Sequence, residues 1–319
     1  MSDRAVTHTV ESVPLVRLPS GRTVETMLHR YRGTRDGPRV YLQALQHGGE
    51  VNGAAVLRRL HERLQDRQLH GEVLAVPVAN PFAFDHRVYM SPTRLDAINP
   101  NMNRIWPGDP DGTLMERLVD SLWERANTAD AIVDLHTGGP YMYSHTRFTP
   151  NTERSRKLAA AFGVDMIVAD GAPVDDPGPT SQGKLREVAA AADIPAITPE
   201  LAHSREIVEE AVEQGVAGIE NVLKELDVLD GAAEPFDPSV GRDKSSIYTE
   251  ESGLFRSTDV SVGQHLEAGT VIGEIFDPTT YEQRQTVKTD RSGLLLSLNR
   301  GSTVLEGESV GSLVTVGDR

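Results

Sequence analysis

Apolar positions along this chain follow two rhythms, and the change between them falls near residue 229. In the first part, short apolar runs that read as strands are "RVYLQALQ" (39–46), "GEVLAVPVAN" (71–80), "ADAIVDLHT" (129–137), "DMIVAD" (165–170) and "PAITPEL" (195–201). Between and after them lie segments with apolar residues three and four apart, the helical period: 53–69, 113–127, 152–163, 183–193 and 205–226. Strands alternating with helices predict an α/β fold with a mostly parallel or mixed sheet and helices on both faces. Residues 1–30 alternate weakly around a "PSG" turn and predict short antiparallel strands. The stretch 229–246 is rich in Gly, Pro and Asp and reads as a linker.

Beyond it the helical period disappears. Short strand-like pieces separated by Gly turns predict a small all-β module, and 251–275 resembles 290–314, each with a Ser-Gly-Leu opening and a Gly before a closing apolar strand. Two domains are therefore expected, 1–235 and 236–319.

Composition narrows the partners. A net charge of −15 makes a phosphate backbone or an anionic membrane an unfavourable surface to bind. Lysine contributes only five of the 32 basic residues, against 47 acidic ones, a balance resembling that of proteins adapted to concentrated salt. No cysteine is present, so disulfides, a thiol nucleophile and thiolate ligands are excluded and any metal must be held by His, Asp and Glu. "MSDRAVTHTV" has no apolar leader core, and no window approaches the ~18 apolar residues of a membrane span. The expectation is a cytoplasmic protein acting on a small molecule, with no nucleic acid or membrane partner and a homo-oligomer left open.

Chemistry gathers at strand ends, where α/β sheets hold their ligands. "HGGE" follows the first strand and supplies His47 and Glu50; "DLHT" supplies His136; "PEL" supplies Glu200. Two imidazoles and a carboxylate suit Zn²⁺, and three protein ligands leave a position open for water, as catalytic sites require. Asp134 shares a strand face with His136 and is placed to accept its second ring N–H. A Pro- and Asn-rich stretch, 80–108, carries Arg87, Arg94 and Arg104 within an otherwise acidic chain. Guanidinium groups beside a metal can hold a carboxylate or a developing oxyanion. Neither G-x-S-x-G nor the Gly-rich nucleotide motifs occur.

Together "HGGE", "NPFAF", "NMNRIWPG", "DLHTGG" and "PEL", in this order over about 40–205, resemble the succinylglutamate desuccinylase/aspartoacylase family, a branch of the zinc carboxypeptidase-like hydrolases. Trp106 stands where that pattern has Phe. The resemblance implies one Zn²⁺ per chain held by His47, Glu50 and His136, with Glu200 as acid/base and Arg94 at the oxyanion. It further implies that Asn103 and Arg104 bind the acyl side of the substrate. The implied activity is hydrolysis of a small N-acyl amino acid. A metallocarboxypeptidase acting on short peptides and a non-catalytic metal-binding relative are the alternatives. The C-terminal module resembles a biotinyl/lipoyl-like barrel without an attachment lysine.

Overall fold

The computed structural model describes residues 6–139, 141–171, 183–300 and 302–317. Strands β1 (Val6–Arg17) and β2 (Thr23–Gly33) form one long antiparallel hairpin, in place of the short strands expected. There follow β3 (Arg35–Ala44), α1 (Asn52–Leu64), β4 (His70–Val76), the short α2 (Pro81–Asp85), α3 (Leu114–Ala126) and β5 (Ala131–Gly138). Next come β6 (His145–Phe148), α4 (Glu153–Ala161), β7 (Met166–Ala169), α5 (Leu185–Ala191), β8 (Ala196–His203) and α6 (Glu209–Glu225). Every strand and helix read from the apolar period over 39–226 is present, with its ends shifted by a few residues. The four-residue β6 is additional, too short and polar to carry a period of its own.

The centre of the large sheet is parallel, in the order β4-β3-β5-β8. The hairpin extends one side through antiparallel pairing of β2 with β4. On the other side β6 runs antiparallel to β8, and β7 continues parallel to β6. The result is a mixed α/β sheet. Both of its faces are covered, as the near-continuous apolar strands demand. Val40, Leu42 and Ala44 point into a core shared with α1, α4 and α6. Tyr41 points the other way, into a core shared with α3 and α5.

Strand β9 (Ser239–Tyr248) corrects the reading of 229–246 as a linker. Its second half of that stretch is a strand, paired parallel to β7 and antiparallel to β16 (Ser309–Gly317). Between β9 and β16 lie β10 (Gly253–Ser257), β11 (His265–Leu266), β12 (Val271–Phe276), β13 (Gln283–Lys288), β14 (Gly293–Leu298) and β15 (Ser302–Val304). The order β9-β16-β14-β11 continues the large sheet, and β13-β12-β10-β15 forms a separate one. Exchanging β9–β12 for β13–β16 turns one order into the other. The repeat seen in the sequence is thus a pseudo-two-fold arrangement in which each half completes the other's sheet. A core of Phe255, Ile272, Ile275, Leu295, Val310 and Leu313 fills the space between them.

Candidate metal and active centre

The site begins where β3 ends. Leu45, buried, adopts a left-handed backbone with φ of 59°, which turns the chain sharply out of the strand. The loop then runs beneath α2, and a side chain at Gly48 would place its Cβ 2.0 Å from the Ala83 carbonyl oxygen. Only glycine fits there. Gly49 is different: a Cβ would meet nothing closer than the Arg205 side chain at 3.5 Å. The loop is pinned by "NPFAF". Asn80 caps α2 by accepting from the Ala83 N–H (3.1 Å), and its amide donates to the Gln46 carbonyl (3.0 Å).

This places three donors together. One ligand atom each from His47, Glu50 and His136 lies within 4.8 Å of the other two, and all three residues are buried. Glu50 spans the pair, with Oε1 2.9 Å from His47 Nδ1 and Oε2 2.9 Å from His136 Nδ1. The Thr137 N–H also donates to Glu50 Oε2 (3.1 Å). Burial pushes the Glu50 carboxyl up, but His136 and then His47 outweigh it and hold the group ionised.

A buried network fixes His136 from behind. Its Nε2 is 3.0 Å from Asp134 Oδ2, leaving Nδ1 to face Glu50. Asp134 is itself held by amide donors from Gln43 (3.0 Å) and Gln46 (2.6 Å). Gln46 is oriented in turn by the Trp106 indole N–H, which donates to its Oε1 at 2.9 Å. The indole at position 106 therefore has work that a phenyl ring could not do. Burial disfavours the His136 cation, yet Asp134 and Glu50 more than offset this and raise its basicity. Partners of this kind orient and strengthen imidazole ligands.

Glu200 sits beside His136 in the parallel register of β5 and β8. Both line a cavity of about 310 Å³, together with His47, Glu50, Tyr89, Asn103 and Arg104. Tyr89 stacks on His47 with ring centroids 4.0 Å apart. The Asn103 side-chain oxygen accepts from the Leu185 N–H (3.3 Å), and Arg104 donates to the Asn103 carbonyl (2.6 Å). Arg94 lies apart, exposed in the turn before Asp96 and absent from the cavity lining; Arg87 is exposed as well.

The remaining cations in the lining come from segments that the sequence reading did not single out: Arg147 on β6, Lys184 and Arg186 at the start of α5, and Lys244 on β9. Arg147 Nε is 3.1 Å from Glu200 Oε1, and its Nη1 is 3.0 Å from Asp170 Oδ2. Arg186 binds the same Asp170 oxygen at 2.6 Å. Against the upward push of burial, Arg186 and then Arg147 hold the Asp170 carboxyl well below the usual range. Partial withdrawal from water, then Arg147, lower the Lys244 ammonium to about 8. In sequence each of these cations looks like an isolated surface charge. "HTRF" offers one signal, a buried strand that carries an arginine.

Residues 36–226 match the model of the succinylglutamate desuccinylase/aspartoacylase catalytic domain. The N-alpha-acetyl-L-2,4-diaminobutyric acid deacetylase of Halomonas elongata is 26% identical over 257 residues, covering 75% of this chain and 71% of that protein. A succinylglutamate desuccinylase/aspartoacylase structure from Rhodobacter sphaeroides superposes with a TM-score of 0.83 at 24% identity, over 98% of this chain and 96% of the other. The product-bound ectoine utilization protein EutE (DoeB) of Ruegeria pomeroyi does so with a TM-score of 0.82 at 21% identity, over 99% and 97%. The two structural likenesses extend through the C-terminal β-rich part.

Proposed function

The chain belongs to the succinylglutamate desuccinylase/aspartoacylase family, and from that premise we propose that it is a zinc-dependent hydrolase that removes the acyl group from a small N-acyl amino acid. The observation that carries this reading is the meeting of His47, Glu50 and His136 in one cavity with Glu200. The donor set fits the ion: two imidazole nitrogens and an ionised carboxylate, buried, with a supporting carboxylate on one imidazole. When bound there, Zn²⁺ supplies Lewis acidity toward the scissile carbonyl and makes water a stronger acid.

The chain's own groups do the rest. Glu200 takes a proton from the attacking water and returns it to the departing nitrogen, so that the C–N bond breaks as a neutral amine leaves. Arg147 steadies the Glu200 carboxylate, its Nε 3.1 Å from Oε1. Asn103 and Arg104 orient the acyl group. A guanidinium also supports the oxyanion, an interaction worth about 3 kcal/mol per donor. The family resemblance gives that role to Arg94, which lies outside the cavity lining, whereas Arg147 lines it. Arg94→Ala assigns the role: a fall in kcat of about 10²-fold or more gives it to Arg94, and an unchanged kcat takes it away.

A cavity of about 310 Å³ suits a small amide better than a peptide, and its cations suit a carboxylate-bearing one. In this reading residues 1–235 form the catalytic domain, and 236–319 form a barrel-like β unit whose Lys244 reaches the cavity rim. The test is metal analysis of the purified protein with an amine-release assay on N-acetyl, N-succinyl and peptide substrates. Turnover of N-acyl amino acids that disappears with chelation and returns with Zn²⁺ is expected. Equal or faster cleavage of peptides would overturn the substrate assignment.

A further inference from the structure

Three of the chain's histidines meet a second time, away from the cavity. His8 on β1, His29 on β2 and His61 on α1 each offer a ring nitrogen within 4.8 Å of the other two. His8 faces Tyr31 directly across the hairpin, and His29 stands two residues before Tyr31 on the same strand face. Helix α1 lies over that face and brings His61 down onto it. His61 lies roughly 14 Å along the helix from its first residue, well removed from the loop of His47 and Glu50.

His8 stacks on Tyr31, with centroids 4.7 Å apart, and on His29, with centroids 5.3 Å apart. The ring nitrogens converge as well. His8 Nε2 is 3.2 Å from His29 Nδ1, and the His8 and His61 rings are tilted at 58° with centroids 4.7 Å apart. His61 Nδ1 is 2.8 Å from the Tyr31 hydroxyl, and His61 Nε2 is 2.8 Å from the Gln65 amide nitrogen. Metal binding at His61 displaces one of these two partners, and the other then orients the ring in the way outer groups orient a ligating imidazole.

We propose that His8, His29 and His61 form a second divalent-metal site, which staples the edge hairpin of the sheet to α1. An all-imidazole donor set selects borderline ions such as Zn²⁺, Ni²⁺ and Cu²⁺ and discriminates against Mg²⁺ and Ca²⁺. All three residues are half-buried, so the remaining coordination positions face solvent. The site stands independently of the catalytic reading: different ligands, different elements, and no substrate needed.

The test dialyses the chelator-stripped full chain against Zn²⁺ and counts bound metal for the wild type, His8→Ala/His29→Ala, and His47→Ala/His136→Ala. The expected result is about two equivalents for the wild type and about one for each double variant, with the first variant keeping its hydrolytic activity. Equal metal in the wild type and in His8→Ala/His29→Ala overturns the proposal and leaves the catalytic centre untouched. Equal metal in the wild type and in His47→Ala/His136→Ala overturns the catalytic centre alone. Single variants guard against a folding defect: His61→Gln is expected to weaken Zn²⁺ binding at this site by more than 100-fold and Tyr31→Phe by roughly tenfold. Cu²⁺ added to the His47→Ala/His136→Ala protein should give an electron paramagnetic resonance signal with nitrogen hyperfine structure. A signal from oxygen ligands alone would also overturn the site.

Discussion

At the scale of single residues, Glu200 and Trp106 make the sharpest claims. Glu200 is no ligand in this arrangement; its carboxylate pairs with Arg147. Glu200→Gln is therefore expected to keep its full metal content while turnover falls by about 10²–10⁴-fold, measured side by side by metal analysis and amine release. Trp106→Phe removes the donor to Gln46 and leaves a buried amide oxygen without its partner. It should lower unfolding stability by about 1–3 kcal/mol in a denaturant titration and weaken catalytic-site Zn²⁺ affinity by roughly tenfold. The three donors that meet were legible in the sequence because His47 and Glu50 lie within one turn and His136 lies near the end of an unmistakable strand. Arg147, Arg186 and Lys244 were not, since a cation's neighbours in space leave no mark on its neighbours in the chain.

Among the elements, the helices and central strands were legible because burial on one or two faces forces an apolar period. β6 and β9 were not. β6 has four residues, and β9 reads "SVGRDKSSIY", whose buried positions are interrupted by charged ones. Both owe their place to neighbours on either side and have little apolar pattern of their own. The element scale also carries a test of electrostatics. Glu72 on β4 receives Arg30 from β2 at 2.7 Å and Arg39 from β3 at 2.6 Å. Burial raises its carboxyl, but Arg30 and then Arg39 pull it below its ordinary 4.5. A lowered carboxyl contributes stability that is full above that ordinary value and is lost as pH falls through the folded one. Glu72→Gln should thus cost roughly 1–2 kcal/mol at neutral pH, since both arginines remain more than a third exposed, and the gap to wild type should close in acid. Thermal melts across pH 3 to 7 read the difference.

For the molecule as a whole, the cavity is a joint product of the α/β part and the C-terminal strands. Lys244 reaches its rim from β9, while the loop that bears Gly138, Gly139 and Met142 is held by the C-terminal strands: Tyr143 donates to the Leu296 carbonyl (2.8 Å), and Leu298 donates to that of Tyr141 (3.0 Å). With the Lys244 ammonium lowered to about 8, its charge is present below that pH and fades above it. Lys244→Met should raise KM for a dicarboxylate substrate by roughly tenfold near pH 7, with the two proteins converging above pH 8, in initial-rate measurements.

The interleaved repeat sets a further condition, on synthesis. Strand β9 needs β16 beside it, and six further strands, β10 to β15, are made between the two. Domains commonly fold in the order they are made, but here the rim of the cavity has to wait. A nascent chain can bring His47, Glu50 and His136 together early and still lack Lys244's settled place until β16 has been made.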